Sequence, residues 1–155
     1  MVLGAGDPGL EEEGRRLAKL YPKQVAVRLG YDEGLARRIF GAADFFLMPS
    51  RSEPCGLTQM YAMRYGCIPV VADVGGLRDT VQEWDKKMEK GTGFRFLPTA
   101  EGVAAGVDRA LAIWDEPAMM NEIRRNGMSK DWGWGSAVPA YEKVYQSLAS
   151  KPGRF

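Results

Sequence analysis

The 155-residue chain has the length of one domain, enough for a single core but short for an enzyme that must enclose two substrates. Hydrophobic residues make up 45% and charged residues 26%, and 21 basic against 20 acidic side chains leave almost no net field, which removes the electrostatic case for nucleic acid or a membrane surface. Histidine is absent, which excludes Ser-His, Cys-His and His-ligated metal mechanisms carried by this chain alone.

Met1 to Leu3 reads as an opening strand. A helix follows, with Asp7 as N-cap, Pro8 in the first turn, Glu11, Glu12 and Glu13 at its positive end, and Arg15, Arg16 and Lys19 towards the other. Leu10, Leu17, Leu20 and Tyr21 form its expected inward stripe. Gln24 to Leu29 is a second strand, and Asp32 to Gly41 a helix with Leu35, Ile39 and Phe40 inward. Phe45 to Met48 is a third strand, followed by a helix over Leu57 to Tyr65 and a strand over Ile68 to Ala72. Glu83 to Gly91 reads as a solvated connection to a strand over Gly93 to Phe96. Val103, Val107, Leu111 and Trp114 recur near helical period, and two more amphipathic helices span Ala118 to Asn126 and Ser136 to Leu148. The last carries Val138, Tyr141, Val144, Tyr145 and Leu148.

Strands alternating with helices predict an α/β fold, a Rossmann-like parallel sheet flanked by helices. A doubly wound sheet builds outwards from a central strand, so a chain that opens on Met1 to Leu3 without a preceding βα unit would leave a gap in mid-sheet. The expectation is a piece of something larger, or a chain that self-associates or recruits a complementing chain. The apolar runs Ala42 to Met48 and Cys67 to Ala72 are far shorter than the roughly 20 residues of a membrane span, and the N-terminus has no signal-peptide pattern. A soluble, intracellular protein is expected. Cys55 and Cys67 flank a helix that sets them roughly 15 Å apart, so both are expected to be thiols.

Chemistry concentrates in Phe45 to Tyr61: a buried strand, a loop, then a helix, with the loop at the strand's C-terminal end. Gly56 permits close backbone approach, and the amides of Leu57 and Thr58 open an anion site that the Thr58 hydroxyl can supplement. Glu53 has two readings: a helix cap, or a carboxylate acceptor for ligand hydroxyls. Gly75 and Gly76 likewise form either a tight turn or a close backbone approach to a ligand.

The runs Met48-Pro49-Ser50-Arg51, Glu53-Pro54-Cys55-Gly56-Leu57-Thr58-Gln59, Tyr61-Ala62-Met63-Arg64-Tyr65-Gly66, Pro69-Val70-Val71 and Gly75-Gly76-Leu77-Arg78-Asp79-Thr80-Val81 closely resemble bacterial glycogen synthases and plant starch synthases. Leu3 to Pro8, Gly30 to Glu33, Gly91 to Phe94 and Arg125 to Met128 match the same family in the same order. The resemblance implies the C-terminal, donor-binding domain of a two-domain (GT-B) retaining glucosyltransferase. Such an enzyme moves glucose from ADP-glucose to the non-reducing end of an α-1,4-glucan, with no cofactor and no metal. Residues 1–155 would form one nucleotide-sugar-binding domain, lacking the first βα unit and the N-terminal acceptor domain through which the glucan would bind. It implies bacterial cytoplasm or plastid stroma as compartment.

By the same resemblance Glu53 is the catalytic candidate, contacting glucose hydroxyls and supporting the developing positive charge. Cys55 and Gly56 line the sugar site, Leu57 and Thr58 bind the diphosphate, Tyr31 stacks on adenine, and Ser50 is a further donor-binding candidate, joined by Gly75 and Gly76 where their backbone approaches the donor. Ser52 and Asp73 depart from the family, which often has an aromatic residue at the first position and a basic one at the second. Trp132 and Trp134 read as anchors of the terminal helix rather than as glucan platforms. Two alternatives stay open: a non-catalytic nucleotide-sugar-binding module or assembly subunit, inactive alone, and a different nucleotide-sugar enzyme of the same architecture.

Overall fold

The computed structural model describes residues 1–149, and residues 150–155 of the expected domain lie outside them. In chain order the elements are β1 (Val2–Gly4), α1 (Pro8–Leu20), β2 (Val27–Leu29), α2 (Glu33–Ala42), β3 (Phe45–Met48), α3 (Thr58–Arg64), β4 (Ile68–Ala72), α4 (Gly75–Thr80), β5 (Phe94–Phe96), α5 (Ala100–Leu111), α6 (Pro117–Met128) and α7 (Trp134–Ala149). All strand pairs are parallel, as the alternation predicts. They form two ladders that do not join, β1-β2 and β3-β4-β5.

β4 explains where the core sits. Its residues Ile-Pro-Val-Val-Ala are buried throughout, as expected for a parallel strand covered on both faces. Ile68, Val70 and Ala72 point one way, packing with Phe94 and Phe96 of β5 against Ala110, Ile113, Met120 and Ile123. Val71 points the other way, onto Met63, Leu77 and Val81. Phe40, Ala62 and Cys67 make a third cluster that seats α2 and α3 beside Phe46. Pro69 has no N–H to give, and it lies before the β4–β5 ladder begins at Val70 opposite Phe94.

The helix cap read at Asp7 forms, and Asp32 and Thr99 cap α2 and α5, which the sequence reading does not assign. Asp7 Oδ1 accepts from Gly9 N and Leu10 N at 2.9 and 3.1 Å, and Asp32 Oδ1 accepts from Leu35 N at 2.8 Å. Thr99 Oγ1 likewise accepts from Gly102 N at 3.0 Å to start α5 on the core. Thr99→Ala is expected to lower global stability by about 1 kcal/mol, read as a lower urea midpoint at unchanged slope.

Several expected inward faces differ. α1 buries none of its residues, and Leu10 is 74% exposed, because the helix lies on a two-stranded ladder too narrow to cover a full stripe. In α5 the buried face runs through Gly106 and Ala110 and on to Ile113, while Leu111 and Trp114 are exposed. Small residues win there because the helix lies close on β5: a Cβ at Gly106 would stand 2.6 Å from Phe96 Cδ1. Trp132 and Trp134 do not anchor the last helix. Trp134 is 74% exposed and meets Tyr141 at 6.5 Å between ring centroids, and α7 buries none of its residues. Val138, Tyr141, Val144, Tyr145 and Leu148 are accordingly exposed.

The segment from Glu83 to Gly91 is largely exposed, as expected, but Glu83 ties it down. Its carboxylate accepts from Arg95 N at 2.6 Å and pairs with Arg109. No described helix is long and apolar enough to cross a membrane.

Candidate functional site

The loop after β3 lies at the C-terminal end of that strand, the position at which open α/β sheets bind ligands. Its decisive residue is Glu53. α3 has Leu57 as N-cap with no side-chain cap hydrogen bond, so Glu53 does not cap the helix. The Glu53 side chain is half-buried, and no described donor engages its carboxylate. A carboxylate in such a place is free to accept hydrogen bonds from a polyol. Cys55, Leu57 and Thr58 are exposed beside it, and Ser50 is half-buried. The Thr58 hydroxyl makes only a weak contact, 3.4 Å from Met48 Sδ.

Gly75 and Gly76 form neither a tight turn nor a pair of open backbone positions; they begin α4. Gly76 is buried beneath the loop, with its N–H donating to Glu53 O at 2.9 Å. A Cβ on Gly76 would stand 2.0 Å from Cys55 O, and one on Gly75, at φ +40°, would stand 2.1 Å from Glu53 O. The face of Gly76 on which a Cβ would stand is taken by the loop's own backbone. Gly75 stays exposed.

Tyr31 projects from the C-terminal end of β2, between Gly30 at φ +107° and the capping residue Asp32. It is 91% exposed, so it is not an ordinary packed aromatic at a strand end. Asp73, at the end of β4, is drawn into an ion-pair group: Arg78 Nε lies 3.1 Å and Arg95 Nη1 3.4 Å from its Oδ1. Its charge is thus offset locally by two guanidinium groups.

Both cysteines are free thiols, as expected. Cys55 is exposed, whereas burial, with a smaller push from Asp44, raises the Cys67 thiol to about 12. Two residues of the site carry no role in the sequence reading, Gln59 and Thr80. The buried face of α3 is Gln59, Ala62 and Met63, so the available signal was a polar residue on an apolar stripe.

The family model of the group 1 glycosyl transferases matches residues 2–127. The chain belongs to this family. It is 44% identical over 147 residues to the glycogen synthase of Koribacter versatilis, covering 94% of this chain and 30% of that protein. It is 47% identical over 154 residues to the glycogen synthase of Alkalilimnicola ehrlichii, covering 98% of this chain and 32% of that one. Among solved structures, the catalytic domain of starch synthase IV from Arabidopsis thaliana, bound to ADP and acarbose, aligns with a TM-score of 0.78 at 35% identity. That alignment covers 96% of this chain and 31% of the other. The chain therefore spans about a third of the length of the curated relatives it matches, 30–32% in these cases. Sucrose-phosphate synthase from Thermosynechococcus elongatus, at 24% identity and a TM-score of 0.64, shares the fold.

Proposed function

We propose that the chain is the donor-binding part of a glycogen or starch synthase, which transfers glucose from ADP-glucose to the non-reducing end of an α-1,4-glucan with retention. The observation that carries this reading is the half-buried, unengaged Glu53 carboxylate in a chain 44–47% identical to glycogen synthases over nearly its whole length. The Glu53 carboxylate accepts glucose hydroxyls and supports positive charge developing at the anomeric carbon. Cys55 and Gly56 line the sugar, Ser50 completes the donor site, the amides of Leu57 and Thr58 receive the diphosphate, and Gly75 flanks it. Tyr31, with no packing partner, stacks on the adenine.

Two further features support a larger two-domain protein. In the doubly wound order 3-2-1-4-5-6, a sheet without its first strand falls into a ladder of two and a ladder of three strands, the division seen here. The apolar stripe of α7 is of the kind that a second domain covers. In this reading the glucan binds through that domain.

The test is glucosyl transfer by the full-length protein from ADP-glucose to a maltooligosaccharide, with the anomeric configuration of the product read by NMR. Absence of transfer with every nucleotide-glucose donor would overturn the reading. Calorimetry should also rank ADP above UDP, and Tyr31→Ala should weaken ADP binding about tenfold while leaving the weaker UDP binding nearly unchanged. Equal losses for both nucleotides would count against adenine stacking.

A further inference from the structure

Gln59 has 0% relative exposure, yet it is polar and lies in the first turn of α3. Its Nε2 donates to Cys55 O at 3.2 Å, Gly56 O at 2.8 Å and Thr80 Oγ1 at 2.9 Å. Two amide protons serve three acceptors, one of them shared by the adjacent carbonyls. Thr80 Oγ1 can accept because its own proton goes to Gly76 O at 2.6 Å. Gln59 Oε1 is buried and accepts nothing, and turning the amide over would set that oxygen against the three acceptors. The orientation is therefore dictated by the donations, at the expense of an unpaired oxygen.

These bonds close a ring through the candidate site. Glu53 O receives Gly76 N, Gly76 O receives Thr80 Oγ1, Thr80 Oγ1 receives Gln59, and Gln59 holds the carbonyls of Cys55 and Gly56. Gly56 stands at φ +70°, and the space its Cβ would need is filled by the Gln59 amide, 2.6 Å from Oε1. The loop is thus gripped at Glu53 by α4 and at Cys55 and Gly56 by α3. Thr80 couples the two grips.

We propose that Gln59, acting with Thr80, is a positioning residue that fixes the backbone of Glu53 to Gly56, so that the Glu53 carboxylate and the amides after it face one ligand in a single geometry. This rests on the reading of that loop as the sugar and diphosphate site. Neither side chain touches substrate. Both act through the loop they hold.

The experiment compares Gln59→Leu, Thr80→Val, Thr80→Ser and the double variant Gln59→Leu/Thr80→Val in the full-length protein. Gln59→Leu keeps the approximate size and removes the donor; it should lower kcat for glucosyl transfer by about a hundredfold with KM for the glucan unchanged, since misplacing a site by about 1 Å has that order of effect. Thr80→Val should lower kcat in the same direction, Thr80→Ser should restore it, and the double variant should be no worse than Gln59→Leu alone. Losses that multiply, or a Gln59→Leu enzyme with wild-type kcat, overturn the proposal. Hydrogen exchange supplies an arm independent of activity. The Gly76 amide, which donates to Glu53 O, should exchange at least about tenfold faster in Gln59→Leu and Thr80→Val but not in Thr80→Ser. Unchanged protection overturns the proposal even where transfer is lost. Faster exchange in a protein that transfers no glucose upholds the positioning role and rejects the donor-site reading instead.

Discussion

Gly76→Ala is expected to lower stability by about 3 kcal/mol and to abolish donor binding, although it adds a single methyl group. The added Cβ would lie 2.0 Å from Cys55 O and 2.6 Å from both C and Cα of Cys55, all backbone atoms that no rotamer change can move. Relief requires the loop to lift off α4, which breaks the bond from Gly76 N to Glu53 O and the Gln59 grip together. A displacement on the order of 1 Å in a binding loop reduces turnover by about a hundredfold on its own. The measurement is a paired one, urea denaturation and ADP calorimetry, with Gly135→Ala as the reference because a Cβ there meets nothing within 4 Å. Wild-type stability with intact ADP binding in Gly76→Ala would mean that the loop does not rest on α4 as described.

Legibility in the sequence follows a physical division. β3, β4 and α2 were readable because burial on one or both faces writes itself into apolar period, as in Ile68 to Ala72 and in Leu35, Ile39 and Phe40. The cap at Asp7 was readable because it acts through bonds two and three residues away. What could not be read depends on partners distant in the chain. α4 begins with two glycines, poor helix formers, and exists because the loop from Glu53 to Cys55 packs on it. The close face of α5 is made of Gly106 and Ala110, which carry no hydrophobic signal although they set the helix against β5. In the site, Glu53 and Gly56 stood out locally, but the link from Gln59 to Thr80 spans 21 residues and appears only once α3 and α4 lie side by side.

The same division separates what Glu53 does from what holds it, and Glu53→Gln isolates the first. The substitution keeps the shape of the side chain and removes its charge. With no donor on the carboxylate and no capping role in α3, nothing in the fold depends on that charge. Stability should therefore stay within about 0.5 kcal/mol of wild type. Glucosyl transfer by the full-length protein should fall by about a hundredfold to a thousandfold, the size of effect seen when one preorganised electrostatic contact to a transition state is removed. Because the reading assigns the diphosphate to the Leu57 and Thr58 amides, ADP affinity should survive, with the loss falling on kcat for ADP-glucose. A Glu53→Gln enzyme that transfers glucose normally would remove Glu53 from the chemistry. One that loses stability and ADP binding as much as turnover would make it a structural residue. Contrast with Gly76→Ala completes the argument: the glycine variant should lose binding and fold together, the glutamine variant turnover alone, and only a loop positioned by α4 and used by its carboxylate predicts both.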